Sequence, residues 1–264
     1  MRFVYISDMH FKGGYSNEFE RKLLEKIITE FEPDTILSGG DWDVIPFSKE
    51  ELYEILGDVP LYSVFGNHDD PNVLKYYGIL LDGVVKIGDI VVCGMGGAVT
   101  SDTMSYPETW FTPNEYIQKY FEILENLKEE LLPCHILILH DPPKSLVDFE
   151  MQNNIYSIDY KSYRIIFDTF IHLLRPEVCL CGHVHSTPYT FYTIKLYDIC
   201  VSDHPFEVPV LKVLTSSQFN YTFSVIDIDL NENYILIDVY SLLHGEFTKH
   251  FSYQKELNWL KPIV

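Results

Sequence analysis

The sequence lacks long apolar runs and has few basic residues. No segment approaches the roughly 18 to 20 uninterrupted apolar residues of a membrane-spanning helix, and Asp8 and His10 interrupt the first apolar run too early for a signal peptide. Lys and Arg number 19 against 39 Asp and Glu, a formal net charge of −20. This charge argues against broad binding to nucleic acid or anionic lipid, since both are negative. We therefore expect a cytoplasmic protein that binds neither nucleic acid nor membrane.

Cysteine is also scarce, and its spacing indicates no redox or zinc motif. The five cysteines are an odd number, and Cys179 and Cys181 are separated by only one residue. Because most of them lie in apolar runs, we expect buried free thiols in a reducing compartment.

The chain shows no internal repeat and no low-complexity linker, and its 47% hydrophobic residues suffice for a core. We predict a single domain over residues 1–264. Within it, residues 1–188 carry the motifs, 189–250 are rich in strands, and 251–264 form a tail that docks on the body or contacts another subunit. The sequence does not fix the oligomeric state.

Up to residue 185, short apolar runs alternate with amphipathic segments, which predicts a largely parallel sheet with helical crossovers. The predicted strands are 2–7, 34–38, 61–65, 90–94, 135–139 and 177–181, and the predicted helices are 18–31, 113–132 and 163–174. The last third is rich in Tyr, Val, Ile and Thr, which predicts antiparallel strands at 187–201, 208–216, 221–230 and 234–243. We expect these to form a second sheet packed on the first.

Polar residues follow five of the predicted strands at the point where each strand ends. They are Asp8 and His10, then Asp41, then Asn67 and His68, then His140, and finally His183 and His185. In an open α/β sheet, ligands bind at the carboxyl ends of the strands. Carboxylate, amide and imidazole groups all bind divalent cations, and they would repel or desolvate one another without one. The sequence therefore predicts a metal site at these strand ends.

The same segments resemble the motifs of the calcineurin-like metallophosphoesterase superfamily. These are D-x-H, G-D, G-N-H-D, a lone histidine after a strand, and G-H-x-H, and they occur here in that order over about residues 3 to 188. The region after His140 looks most like the small phosphoesterases of the phosphodiesterase branch. Together with the alternating pattern, the resemblance implies an α+β fold of four layers, αββα, in which two packed mixed β-sheets are flanked by helices.

The resemblance also implies the roles of individual residues. It assigns ligands to two divalent metal ions: Asp8, His10 and His185 to one, Asn67, His140 and His183 to the other, and Asp41 to both. A hydroxide between ions about 3.5–4 Å apart would attack phosphorus. His68 would act on the leaving group or a phosphoryl oxygen as acid or charge stabiliser.

Two further acids lie close to these motifs. Asp69 would orient His68 from behind or cap a helix before Pro71. We expect Asp43 to be a solvated loop acid or to support a ligand, and not to bind metal.

Substrate choice should come from the loops over the metal site, 98–113 and 142–160. Tyr106 and Trp110 could stack on a base or cover an alkyl group, or pack within their own loop, and Lys144 could contact a phosphate. The mixed nitrogen and oxygen ligands suit Mn, the ion expected to work in vitro, and also Fe, Zn, Co or Ni.

The favoured hypothesis is a phosphodiesterase that acts on a small phosphate ester. The alternatives are a nuclease of the DNA-processing branch, a phosphomonoesterase, and a non-catalytic scaffold that keeps the fold. The net charge of −20 counts against the nuclease.

Overall fold

Helices and strands alternate through most of the chain. The computed structural model describes residues 1–11, 18–99, 109–130, 133–153, 162–196 and 206–257. The helices are Glu18–Phe31 (α1), Lys49–Leu56 (α2), Pro71–Tyr77 (α3), Pro113–Glu130 (α4), Lys144–Gln152 (α5) and Ile165–Leu174 (α6). The strands are Arg2–Ile6 (β1), Thr35–Ser38 (β2), Leu61–Ser63 (β3), Gly83–Ile87 (β4), Ile90–Met95 (β5), Ala98–Val99 (β6), Trp110–Phe111 (β7), Ile136–Leu139 (β8), Val178–Cys181 (β9), Tyr189–Leu196 (β10), Phe206–Val213 (β11), Phe223–Asp229 (β12), Tyr234–Leu243 (β13) and Glu246–Glu256 (β14).

The strands form two mixed six-stranded sheets and a separate pair, β6 with β7. The first sheet has the order β14-β13-β12-β1-β2-β3, in which β1, β2 and β3 are parallel and the others antiparallel. The second has the order β10-β11-β9-β8-β5-β4, with a parallel centre and an antiparallel strand at each edge. These are the two mixed sheets that the sequence analysis predicted.

Three apolar clusters divide the molecule into four layers. Side chains of both sheets meet in a central cluster, where Leu37 of the first sheet and Leu180 of the second are fully buried. Helices α1 to α3 cover the outer face of the first sheet, with Leu24 and Leu52 buried there. Helices α4 to α6 cover the outer face of the second, with Phe170 buried. The predicted αββα arrangement is confirmed.

The distribution of strands between the sheets differs from the prediction, because the C-terminal strands do not form a sheet of their own. Strands β12, β13 and β14 extend the first sheet beyond β1, with Val225 opposite Val4. Strands β10 and β11 extend the second sheet beyond β9, with Leu211 opposite Leu180. An apolar pattern marks a strand and its buried face, but it does not say which open edge the strand will pair with.

Several elements lie outside the predicted set. Strand β14 runs through Glu256, so the predicted tail 251–264 begins inside a strand; this edge strand is largely exposed and polar, which hides its pattern. Helix α5 occupies part of the predicted loop 142–160. Helix α2 had a readable signal, since Ser48 and Glu51 form a reciprocal capping box at its start.

The predicted free thiols are present in the described residues: Cys93, Cys134, Cys179 and Cys181 are buried and unpaired. Cys200 lies outside the described residues. None of the helices in the described ranges has the length and apolarity needed to cross a membrane.

The carboxyl ends of β1 and β9 touch although these strands belong to different sheets. The backbone N–H of His183, just after β9, donates to the Asp8 carboxylate at 3.0 Å. A Cβ atom on Gly182 would collide with the carboxylate of Asp8 and the hydroxyl of Ser7. Glycine at position 182 therefore allows the two sheets to approach at this end, which we call the junction.

We expect Gly182→Ala to lower the free energy of unfolding by about 1–3 kcal/mol, the usual range for overpacking a filled interior. Urea unfolding followed by circular dichroism measures this change. The matched control is Gly245→Ala, because a Cβ at Gly245 meets open space and adds only the strain of a positive φ. Wild-type stability in the Gly182 variant would contradict the close approach described here.

Candidate metal centre

The polar strand ends of both sheets converge at the junction. Strands β1, β2 and β3 of the first sheet lead to Asp8, His10, Asp41 and Asn67, and strands β8 and β9 of the second lead to His140, His183 and His185. The prediction that all of these lie at the edge of one sheet is wrong, because β1, β2 and β3 belong to one sheet and β8 and β9 to the other. The site lies between two sheets, so each sheet supplies part of it.

One group of donors, the first cluster, consists of Asp8, His10 and His185, whose donor atoms all lie within 4.8 Å of one another. Nε2 of His10 lies 3.1 Å from Nε2 of His185. The same His185 atom lies 3.0 Å from Oδ1 of Asp8.

Another group, the second cluster, consists of Asp41, His140 and His183, whose donor atoms also lie within 4.8 Å of one another. Nε2 of His140 lies 3.5 Å from Oδ2 of Asp41 and 3.0 Å from the side-chain oxygen of Asn67. The other ring nitrogen of His140 lies 2.7 Å from the carbonyl oxygen of Gly39, which fixes the ring orientation.

Asp41 stands between the two clusters. Its Oδ2 atom is 3.5 Å from Nε2 of His140 in the second cluster and 3.8 Å from Nε2 of His10 in the first. Its Oδ1 atom accepts the backbone N–H of His68 at 3.0 Å. One carboxylate oxygen thus faces donors of both clusters.

These donors fit divalent cations. Bonds of about 2.0–2.2 Å from a cation to nitrogen or oxygen place neighbouring ligands roughly 3 to 3.5 Å apart, the spacing of the His10–His185 and His140–Asp41 pairs. The 3.1 Å between Nε2 of His10 and Nε2 of His185 suits an N–H···N hydrogen bond when one ring carries the proton there, and it suits equally a cation bound by both rings. The donor set holds nitrogen and oxygen but no sulfur, as predicted for Mn, Fe, Zn, Co or Ni.

The backbone at the strand ends is strained. Non-glycine residues with positive φ include five from this site: Asp8, His10, Asp41, Asp43 and His183. Each such residue costs of order 1–3 kcal/mol and persists only where the surroundings hold it. Hydrogen bonds between the loops do so, among them Asp8 N–H to the Gly40 carbonyl at 2.9 Å and His10 N–H to the Asp41 carbonyl at 3.0 Å.

The carboxyl groups and imidazole rings of the site shift one another's pKa values. Burial raises the pKa of Asp8, but His185 and His140 outweigh it and hold the pKa at about 2. Burial also raises the pKa of Asp41, and the neighbouring Asp8 adds to this. Burial lowers the pKa of His10 and His140, yet the adjacent carboxylates leave both raised. The site therefore attracts positive charge, as protons or as metal ions.

His68 lies at the rim of the site, with its side chain 55% exposed. Its ring centroid is 5.3 Å from that of His10, and its Nδ1 is 3.3 Å from Oδ1 of Asp43. The other oxygen of Asp43 lies 3.1 Å from Nδ1 of His10. Asp43 therefore supports both histidines, which is the second of the two roles that the sequence left open for it.

Asp69 does not act as expected from the sequence. Its carboxylate accepts the backbone N–H groups of Gly66 at 2.7 Å and Asp41 at 2.8 Å, and also those of Trp42 and Asp43, instead of orienting His68. The cap of α3 is Asp70. Burial raises the pKa of Asp69 to about 6. Asp69 thus ties the loop after β2 to the loop after β3, behind the site.

Of the three residues predicted to contact the substrate, the structure describes Trp110 and Lys144. The Trp110 ring centroid is 5.9 Å from that of His183, so the indole borders the second cluster. Lys144 forms an ion pair of 2.5 Å with Asp148. Tyr106 lies outside the described residues.

One ion pair beside the second cluster, Arg164 with Asp141, was not predicted from the sequence. The guanidinium of Arg164 donates to Oδ1 of the buried Asp141 at 2.7 Å, and that oxygen is 3.9 Å from Nε2 of His183. The Asp141 position, directly after His140, was a signal for this support.

Comparison with solved structures found matches at low sequence identity, and the match with a TM-score of 0.52 supports the fold. The protein TT1561 of Thermus thermophilus is 15% identical, with a TM-score of 0.52 over 86% of this chain and 93% of its own. A Vps29 single mutant from Entamoeba histolytica is 14% identical, with a TM-score of 0.41 over 98% of this chain and 100% of its own. A search of curated proteins gave no significant match.

The family model for calcineurin-like phosphoesterases matches residues 1–187. The matched region contains all five strand ends that meet at the junction and both clusters. By this match the chain belongs to the calcineurin-like phosphoesterase family.

Proposed function

We propose that this protein is a phosphodiesterase that hydrolyses a small phosphate ester with two divalent metal ions. The observation that carries the proposal is the position of Asp41, one oxygen of which faces both the first and the second cluster. A carboxylate shared in this way suits a pair of neighbouring cations.

The ligands follow from the two clusters. Asp8, His10 and His185 would hold one ion, Asn67, His140 and His183 the other, and Asp41 both. When bound, the two ions supply Lewis acidity, which polarises the phosphoryl group and lowers the pKa of a coordinated water. Mn²⁺ is the ion we expect to support activity in vitro, and Fe, Zn, Co or Ni also suit these donors.

His68 is the residue that we assign to the leaving group. Its Nδ1 faces the carboxylate of Asp43 at 3.3 Å and so carries a hydrogen; when the ring is protonated on both nitrogens, Nε2 would donate its proton to the leaving oxygen. The exposure of its side chain gives it access to a substrate at the rim. Its partner Asp43 also fixes His10, so the proton-carrying group and the first cluster share one support.

The charges favour a small diester. A phosphate monoester carries about −1.5 to −2 charges at neutral pH, whereas a diester carries only one. Lys144 and Arg164 lie on segments next to the site and form ion pairs with Asp148 and Asp141, respectively. Because these two cations are already paired with carboxylates, the site suits the singly charged ester. The net charge of −20 disfavours long nucleic acids.

The rival class is a non-catalytic scaffold that keeps the fold. A scaffold needs no donors within bonding range of a cation, whereas here each cluster holds three such donors within 4.8 Å of one another, which supports the enzyme. The buried free thiols are consistent with the cytoplasm, where we propose that the enzyme works.

The first experiment is metal removal. We expect the Mn²⁺-loaded protein to hydrolyse bis-p-nitrophenyl phosphate faster than p-nitrophenyl phosphate, and excess EDTA to stop both reactions, because the carboxylates alone repel an anionic ester. Nitrophenolate absorbance measures both rates. Activity retained in EDTA would rule out the metal mechanism, and a preference for the monoester would reverse the substrate assignment.

The second experiment tests the role of His68. We expect His68→Ala to lower kcat by about 10²–10⁴-fold, the usual contribution of a positioned acid, with metal content unchanged because its ring is not a ligand. Elemental analysis and steady-state kinetics measure the two effects. His172→Ala, at an exposed position on α6, is the control and should match the wild type. Equal loss of metal in His68→Ala would show that its assignment is wrong.

The third experiment tests the shared carboxylate. We expect Asp41→Ala to abolish tight binding of both Mn²⁺ ions, because this residue faces both clusters, while His10→Ala weakens only one. Titration calorimetry gives the stoichiometries. Two tight sites remaining in Asp41→Ala would disprove the bridging position.

A further inference from the structure

A buried charged group lies behind the turn that carries His183 and His185. It consists of Lys212 of β11, Glu150 of α5, Ser186 and Thr190, which we call the Lys212 cluster. The side chains of Lys212 and Glu150 are both 0% exposed. The family motifs do not include any of these residues.

The ammonium group of Lys212 has three donors, and each has an acceptor. It donates to the Glu150 carboxylate, to the carbonyl oxygen of Val184 at 3.0 Å and to the hydroxyl of Ser186 at 2.5 Å. Val184 and Ser186 are the two neighbours of His185 in the chain. Lys212 thus binds the backbone of Val184, before His185, and the side chain of Ser186, after it.

Glu150 completes the cluster. One of its carboxylate oxygens accepts from Lys212 and from the hydroxyl of Thr190, and the other accepts from the hydroxyl of Ser186 at 2.9 Å. Helix α5, strand β10 and strand β11 are therefore all joined to the turn after β9.

Stability alone does not account for such a cluster. Replacing a buried ion pair with apolar side chains of similar volume is often neutral or stabilising, because the ions lose their hydration. The turn it holds is strained, since His183 has a φ of +64°. A rigid support fits this position, because the turn must present His185 at 3.0 Å from Asp8 and 3.1 Å from His10.

We propose that Lys212 and Glu150 are positioning residues that fix His185 in the first cluster and so set the metal affinity there. The inference rests on the proposed function, because it takes the first cluster to be a metal site. In the second cluster, the Gly39 carbonyl fixes the His140 ring, and His183, on the same turn as His185, faces the carboxylate of Asp141 at 3.9 Å. The effect should therefore fall on one of the two ions.

The test uses the double variant Lys212→Met/Glu150→Leu, which removes both charges and keeps the volume. We expect it to melt close to the wild type, to bind one Mn²⁺ with wild-type affinity, and to bind the other at least about tenfold more weakly, as is usual when the support of a ligand is lost. Titration calorimetry measures the affinities. The visible spectrum of the Co²⁺-loaded protein should change as the His185 geometry relaxes.

The matched control is Lys255→Met/Glu177→Leu. Lys255 and Glu177 also form a largely buried ion pair, 2.9 Å long, but it lies at the amino end of β9, away from the junction. We expect both Mn²⁺ affinities and the Co²⁺ spectrum to match the wild type in this variant. Equal weakening in the control would mean that loss of any buried pair has this effect, and it would overturn the proposal.

The remaining outcomes are also decisive. Wild-type affinities and an unchanged Co²⁺ spectrum in the Lys212/Glu150 variant overturn the inference and leave the proposed function standing. A wild-type protein that binds no Mn²⁺ overturns both. If the double variant does not fold, Ser186→Ala replaces it, since this change removes one hydroxyl of the cluster and no charge; we expect the same one-site weakening, and unchanged binding overturns the inference.

Discussion

The structure depends on the charge compensation between buried carboxylates and imidazole rings at the junction. Asp8 and Asp41 are buried there together with His140, and the rings of His10, His183 and His185 complete the two clusters. Buried carboxylates in such proximity are unfavourable unless positive charge compensates them. The surrounding loops hold these groups together at the expense of backbone strain, through interloop hydrogen bonds and through the carboxylate of Asp69. These groups are arranged to bind a cation, and the arrangement lowers the stability of the fold.

Placing the site between two sheets gives each of them part of the donor set. The first sheet supplies donors from β1, β2 and β3, and the second supplies them from β8 and β9. Because each cluster takes donors from both sheets, the distances between donors within a cluster are set by how the sheets pack, through the central apolar cluster and the contact of Gly182 with Asp8. A change in the packed core can alter the site without touching a donor.

The sequence predicted the strand ends well because each one combines a buried apolar run with polar residues at a fixed offset. It could not assign the later strands to a sheet, since β11 reads the same whether it pairs with β9 or with another open edge. The role of Asp43 depended on loop geometry that spacing does not encode. Lys212 was readable in part, because a lysine between Leu211 and Val213 in an apolar strand needs a buried partner, but its partner Glu150 is remote in sequence.

The central position of β1 in the first sheet bears on how the chain assembles. β1 precedes its antiparallel neighbour β12 by most of the sequence, since Phe3 pairs with Ile226; the amine of Met1 donates to the carbonyl oxygen of Ile228, 227 positions away. Contacts of such long range form slowly and leave an open strand edge exposed meanwhile. Asp8 lies two residues after β1, so this carboxylate cannot reach its final setting until the chain has been synthesised through β12.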